Sequence, residues 1–411
     1  MELLAPQTAG WIVVGLLLLW LTLGVHIGVA LGLTGFIGIY LTVGPDAALA
    51  QIGTIPFSTT NSFALAVIPL FILMGSFATV AAITTDLFRA AYVWLGKLRG
   101  GLAMATVMSS AAFGAASGST IVNAAVFTRM AMPEMTRFGY DVRLSAGCIA
   151  AAGTLAALIP PSILMVVYAV ITEQSIGKLL IAGIVPGILT AVIYCAGIYV
   201  IARVRPDIAP RANIVFTWAE RWRSLYSVYG IILLFALVKG RMSMKSLVEV
   251  LKEAAVTTSV IFIIVIGGII FARFLTYSGL VDIISHGLLE LGTGKYVYLI
   301  GFIVLFIVLG CFIEPIAIMV MTLPIMFPVM VKAGFHPIWL GVVAVKLAEI
   351  SVLTPPVGLN VFVVKSSSPV PVTLGQVFAG VTPFILLDLL SLVLYVLFPE
   401  VLLWLPNLMQ S

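Results

Sequence analysis

Charge is scarce in this sequence: of 411 residues only 9% are Asp, Glu, Lys or Arg. A water-soluble domain clothes its surface with about 25% charged residues, so the classes of soluble enzyme and soluble binding module are excluded at once. Histidine is nearly as scarce. His26, His286 and His336 stand far apart, and no HExxH spacing occurs. A zinc protease needs two such ligands on one helical face, so that chemistry is disfavoured. The three cysteines, Cys148, Cys195 and Cys311, lie in apolar stretches without CxxC spacing. They read as small core residues, with no disulfide framework and no metal site implied. Met1 to Gly10 carries no basic residue before its apolar run. A cleaved secretory signal begins with a positive region, so the first run is expected to be a retained helix.

What is abundant is apolar sequence. Hydrophobic residues make up 62% and the mean hydropathy is +1.22. A bilayer crossing takes ~20 apolar residues in a helix, and such runs recur almost end to end, among them Ala64–Ala82, Leu179–Ile201, Thr257–Phe274 and Phe384–Leu397. A many-helix membrane protein is the expectation, its partner being the lipid bilayer. The net charge of +5 does not indicate nucleic acid, because the basic residues sit between apolar runs, as in cytoplasmic loops. Their densest group starts at Arg203, Arg205, Arg211, Arg221 and Arg223, and residues 203–223 read as a basic cytoplasmic linker.

The sequence also repeats itself. Shifting by 195 residues carries Ser119 onto Glu314, Pro133 onto Pro328, Gly139 onto Gly334, Pro160 onto Pro355 and Pro161 onto Pro356. Prolines, glycines and polar residues in one register point to two related halves. Transporters are often built from halves inverted across the membrane, with the site at their interface. In the first half the apolar segment about 100–128 is too long for one plain crossing. Arg89, Lys97 and Arg99 precede it, and Arg129, Arg137 and Arg143 follow it. Basic flanks on both sides predict a segment that enters and returns on the cytoplasmic side. Its counterpart, about 296–327, has flanks poor in basic residues, as the outer side requires.

Four clusters interrupt the apolar runs: Ser117-Gly118-Ser119-Thr120, Ile159-Pro160-Pro161-Ser162, Gly310 to Pro315, and Leu353 to Gly358. Inside a bilayer every backbone polar group must be satisfied, so helices break where the backbone lines a cavity or binds something. Proline frees a carbonyl one turn earlier and glycine permits an unwound link. A lone proline is more often a kink, and a lone Gly or Ser more often aids helix packing. Recurrence of the tandem prolines at equal distance from a polar break favours a site. Freed carbonyls and hydroxyls suit a hard cation such as sodium, and half-helix N-termini suit an anion. Glu314 is the sharpest candidate, since a carboxylate at mid-depth costs ~2.5–3.5 kcal/mol on insertion scales; the bland alternative is a solvated residue near an interface. Lys346 and Glu349, one helical turn apart, are placed to pair, as a structural ion pair or as part of a site. Arg273, Lys365 and Asp388 read as snorkelling or interfacial, with Arg273 an alternative anion partner. A serine protease built on Ser117 or Ser119 lacks a histidine base in any of the four clusters, which leaves non-enzymatic transport as the expectation.

The words AASGSTIVNAA (115–125), IPPSILMVVYAV (159–170), KLLIAGIVPGIL (178–189), GCFIEPIAI (310–318) and LTPPVGLNVFVVK (353–365) together resemble the large membrane subunit of tripartite ATP-independent periplasmic (TRAP) transporters, over nearly the whole chain. The resemblance implies an all-α polytopic fold of the broad ion-transporter type, an inverted-repeat transporter with two re-entrant hairpins and discontinuous helices, working as an elevator. It implies sodium-coupled uptake, without ATP, of a carboxylate such as a C4-dicarboxylate or a sugar acid. A periplasmic binding protein delivers the substrate, and a small membrane subunit braces the large one in the bacterial inner membrane. No cofactor is implied beyond the coupling ion. Site residues carried by the resemblance and the breaks together are Ser117, Gly118, Ser119, Asn123, Thr154, Ser162, Glu314, Thr354 and Gly358, with sodium assigned to Ser119, Thr354 and Gly358. Glu314 stands where the family usually has aspartate. The expected organisation is a first inverted repeat over 1–202, the linker over 203–223, and a second repeat over 224–411. That second repeat is expected to lack one helix near 227–229 relative to the family. Alternative readings are a stand-alone sodium/carboxylate symporter of the same broad fold and a transport-impaired variant.

Overall fold

The computed structural model describes residues 5–80, 83–211, 216–224, 244–290 and 294–409. The run Leu225–Val238 and the helix expected to be missing near 227–229 lie outside them. Every regular element among the described residues is helical. Five of these helices are long and apolar enough to cross a membrane: Phe63–Val80, Ile176–Val204, Leu247–Tyr277, Pro315–Lys332 and Leu374–Leu397. Large apolar side chains face outward along them and their neighbours, with Phe63 91% and Phe312 68% exposed. That is the surface a lipid-embedded chain presents and a soluble monomer avoids.

Helices α1 (Pro6–Thr22), α2 (Ile27–Thr42), α3 (Pro45–Thr60) and α4 (Phe63–Val80) come first, followed by α5 (Ile83–Leu95). Then α6 (Gly101–Ser117) and α7 (Thr120–Arg137) fold back on each other as a hairpin. Near its open end Tyr140 accepts a hydrogen bond from the Leu102 amide at 3.2 Å. Nearer the tip the Ser110 hydroxyl donates to Asn123 Oδ1 at 3.0 Å. The chain continues through α8 (Val142–Thr154), α9 (Ile163–Ile171) and α10 (Ile176–Val204). Beyond the linker, α11 (Met244–Tyr277) and α12 (Leu280–Glu290) precede a second hairpin of α13 (Lys295–Gly310) and α14 (Pro315–Lys332). The last elements are α15 (Pro337–Ser351), α16 (Leu359–Ser367), α17 (Leu374–Leu397) and α18 (Pro399–Leu408).

The repeat reaches the level of elements. A shift of 195 residues lays α7 on α14 end for end, and carries the start of α8 onto the start of α15. The close contacts repeat as well. Gly114 of the first hairpin lies against Ala156, and Gly310 of the second lies against Ser351, where an added Cβ would come within 2.9 Å and 2.1 Å respectively. In both hairpins the second arm runs further than its apolar core, to Arg137 and Lys332. Polar residues such as Glu134 and Thr136 continue the helix, Thr136 back-bonding to Met132 at 2.9 Å.

Two layers result. Helices α1–α4, α11 and α12 share one apolar core around Leu31, Ile264, Phe271 and Phe274. The first hairpin packs with α8, α10 and α17, and the second with α9, α15 and α18. Glycine lets helices touch where no side chain fits. A Cβ on Gly267 would stand 2.0 Å from the Gly28 carbonyl oxygen, and one on Gly147 2.0 Å from that of Gly380. Small-residue contact of this kind is how helices associate where burial of apolar surface gives little gain.

Candidate functional site

The two hairpin tips meet. Ser119 and Glu314, matched in the sequence repeat, line a single cavity of about 260 Å³ together with Gly118, Thr120 and Pro315. Its other walls are Ile163 and Leu164 of α9 and Val256, Thr257, Val260 and Ile261 of α11. The cavity thus lies between the hairpins and the layer that carries α11.

Each tip is a true break in the helix. After Ser117 the chain passes through Gly118 in the left-handed region, φ +59°, and Ser119 in extended backbone, φ −122°. Only glycine takes that first conformation without cost. A Cβ at Gly118 would also stand 2.6 Å from the Pro161 carbonyl oxygen, so the tip leans on the tandem proline. Ser119 caps α7, its hydroxyl accepting from the Val122 amide at 3.4 Å. At the second tip, Glu314 is the N-cap residue of α14 in extended backbone and makes no side-chain cap, with Pro315 as the first helical residue. Two helices of 18 residues each therefore direct their N-termini at one cavity. The unsatisfied amides and the dipole there favour negative charge. Glu314 adds a carboxylate without a capping amide, which favours a cation beside it.

The remaining candidates sit behind this cavity and do not line it. Asn123 is fully buried and clamps the hairpin, donating to the Ser110 carbonyl at 3.0 Å while Ser110 bonds both Asn123 and the Ala152 carbonyl. Ser162 caps α9, accepting from the Met165 amide at 3.2 Å and donating to the Ala157 carbonyl. Thr154 is buried and donates to the Ala151 carbonyl at 2.8 Å. Ser117 is buried, and its hydroxyl has no partner.

The second proline break is equally discontinuous. Thr354 donates to the Ile350 carbonyl at 2.7 Å. Gly358 takes φ +60° and begins α16. Peptide bonds Pro160–Pro161 and Pro355–Pro356 are both cis. Asn360, fully buried and not singled out from sequence, donates to the Ala150 carbonyl at 3.2 Å and leaves Oδ1 without a partner. Each proline break thus has an unpartnered buried oxygen beside it, Ser117 Oγ near the first and Asn360 Oδ1 at the second. Buried polar atoms normally find a partner, so these positions fit a hard cation chemically.

Sequence reading also missed a charged cluster. Asp388, expected at an interface, is fully buried and bonds Lys346 at 2.6 Å and the Tyr194 hydroxyl at 2.6 Å. Its partners are 42 and 194 residues away in sequence, so no local pattern marks them. The Lys346–Glu349 pair expected from helical spacing does form, at 3.2 Å.

A fold that is helical throughout the described residues, with membrane-length apolar helices and paired broken hairpins around one polar-tipped cavity, is that of a membrane transport protein. The family model for the DctM component of the tripartite ATP-independent periplasmic transporter matches residues 14–225 and 211–401, and the chain belongs to that family. It is 34% identical over 404 residues to the C4-dicarboxylate TRAP transporter large permease protein DctM of Pseudomonas aeruginosa, covering 92% of this chain and 94% of that one. It is 29% identical to the ectoine/5-hydroxyectoine large permease UehC of Ruegeria pomeroyi, over 95% of this chain and 97% of that one. Among solved structures, the YdaH transporter of Alcanivorax borkumensis shares the fold, with a TM-score of 0.55 at 15% identity over 88% of this chain and 91% of that one.

Proposed function

We propose that this large permease subunit imports a small organic anion, a carboxylate such as a C4-dicarboxylate or a sugar acid, using a sodium gradient. The observation that carries the reading is the shared cavity, with two helix N-termini and the Glu314 carboxylate at one point. The dipoles attract the anionic end of the substrate, and a sodium ion beside Glu314 offsets the charge the carboxylate adds. Ser117 and Ser119 would supply hydroxyl oxygens at the first break. At the second break Thr354, Asn360 and the freed backbone around Gly358 would hold a second sodium. Sodium supplies only charge and coordination; the hairpin tips do the orienting.

The hairpins and α8, α9, α15 and α16 form the moving body, sliding as an elevator against the layer of α1–α4 and α11. The two repeats lie inverted across the bacterial inner membrane. A periplasmic binding protein delivers the substrate and a small membrane subunit braces the scaffold. Relatives named for C4-dicarboxylates and for ectoine are 34% and 29% identical to this chain over nearly its whole length, which supports selection of cargo largely before it reaches the permease. The test is uptake into vesicles containing the chain with its small subunit and binding protein, over a panel of dicarboxylates and sugar acids. Accumulation driven by a sodium gradient is expected. Equal accumulation with potassium replacing sodium would rule the reading out.

A further inference from the structure

Behind the hairpins, α10, α15 and α17 enclose a cluster with unbalanced charge. Lys346, Glu349 and Asp388 have no exposed side-chain surface. Lys346 Nζ reaches Asp388 Oδ1 at 2.6 Å, Glu349 Oε2 at 3.2 Å and Thr190 Oγ1 at 3.4 Å. From α10 the Tyr194 hydroxyl donates to the same Asp388 oxygen at 2.6 Å, and the Thr190 and Tyr395 hydroxyls are 2.6 Å apart. The ionisable groups that bear on Glu349 are Lys346 on its own helix, Tyr194 on α10, and Asp388 and Tyr395 on α17.

One ammonium faces two carboxylates, so with both ionised the sealed cluster carries an uncompensated negative charge. Burying one such charge costs several kcal/mol, and two close carboxylates in one site do not both stay ionised. A metal ion is a poor answer. The cation position is taken by the Lys346 ammonium, and no group of three His, Cys, Asp or Glu side chains placed to hold a metal occurs among the described residues.

We propose that this cluster is a proton-binding site, occupied by one proton taken from the aqueous phase and carried on Glu349. The division between the carboxyls follows from their partners. Asp388 Oδ1 receives two short, strong bonds, which hold an ionised carboxylate. Glu349 receives one longer bond, to Oε2; Glu349 Oε1 and Asp388 Oδ2 both lack a partner, so the number and length of the bonds decide. The site is also joined to both breaks. Ser351, two residues after Glu349, lies against Gly310 of the second hairpin, and the Thr354 break follows three residues later. On the other side, Tyr194, bonded to Asp388, is near Thr154 at the end of α8. The site thus adjoins the places where both discontinuous helices begin to unwind.

Infrared difference spectroscopy on the full chain in phosphatidylethanolamine–phosphatidylglycerol vesicles reads this directly. The wild type minus Glu349→Gln at neutral pH should show a protonated-carboxyl C=O stretch, lost in the variant. A carboxylate pair in its place would overturn the proposal. Asp388→Asn leaves Lys346 alone with Glu349, so the same band should vanish as Glu349 ionises; its persistence there would overturn the charge argument. Wild-type protein grown with heavy-carbon glutamate needs no variant and serves if Glu349→Gln does not fold. The band should shift, and an unshifted band would place the proton on Asp388, contradicting the assignment.

Discussion

At the scale of single residues, Ser119 and Glu314 occupy matched positions but make different use of them. Ser119 caps its helix and offers its remaining lone pair to the cavity. Ser119→Ala removes both, a loss of ~1 kcal/mol of helix stability and of a hydrogen bond to charge of ~1.5–3 kcal/mol. Uptake should fall about tenfold or more at unchanged membrane expression, measured by vesicle transport and quantitative blotting. Glu314 makes no cap, so its carboxylate is free to serve an ion. Glu314→Gln should cost at least as much and weaken the sodium dependence, while Glu314→Asp, which keeps the carboxylate, should keep most activity. Asn123 predicts differently. Its amide is spent on the hairpin, so Asn123→Ala should lower thermal stability by ~1–3 kcal/mol, read as a drop in melting temperature in detergent, and affect uptake only through it. Both tip residues were legible because proline and glycine announce a break locally. Asp388, Tyr194 and Asn360 were not, because their meaning comes from partners brought together by the fold.

At the scale of elements, the breaks, the tandem prolines and the repeat register could be read from the chain alone, since each is a pattern within a few residues or at a fixed offset. The convergence of the two tips on one cavity could not be. It depends on how α9 and α11 close the walls, and hydropathy does not encode packing partners. Helix contact through glycine is likewise visible only in three dimensions. At Gly310 the neighbour is Ser351, 2.1 Å from a would-be Cβ. Gly310→Val should force the second hairpin away from α15 at a cost of ~1–3 kcal/mol. The expected outcome is a lower melting temperature with a disproportionate loss of uptake, because the displaced tip carries Glu314. A substitution to valine at Gly301, which has nothing within 4 Å of the added carbon, should leave both unchanged and controls for bulk alone.

At the scale of the whole molecule, the chain divides its labour. Apolar surfaces and glycine contacts hold helices in lipid, while the buried amide side chains Asn123 and Asn360 sit near the breaks and the buried charges Lys346, Glu349 and Asp388 in one sealed cluster. The transport proposed for this chain needs both hairpins to act on one site, so that ion and anion load together. What the structure adds to the family assignment is that both tips line one cavity. Their joint action is measured by a double-mutant cycle of Ser119→Ala and Glu314→Gln, reading the sodium concentration for half-maximal uptake by the complete system. Residues sharing a site couple by ~0.5–3 kcal/mol, whereas independent sites add within ~0.5 kcal/mol. The account predicts clear coupling, with the double variant far from the sum of the singles. Additive effects would mean that the two tips serve separate sites and would contradict it.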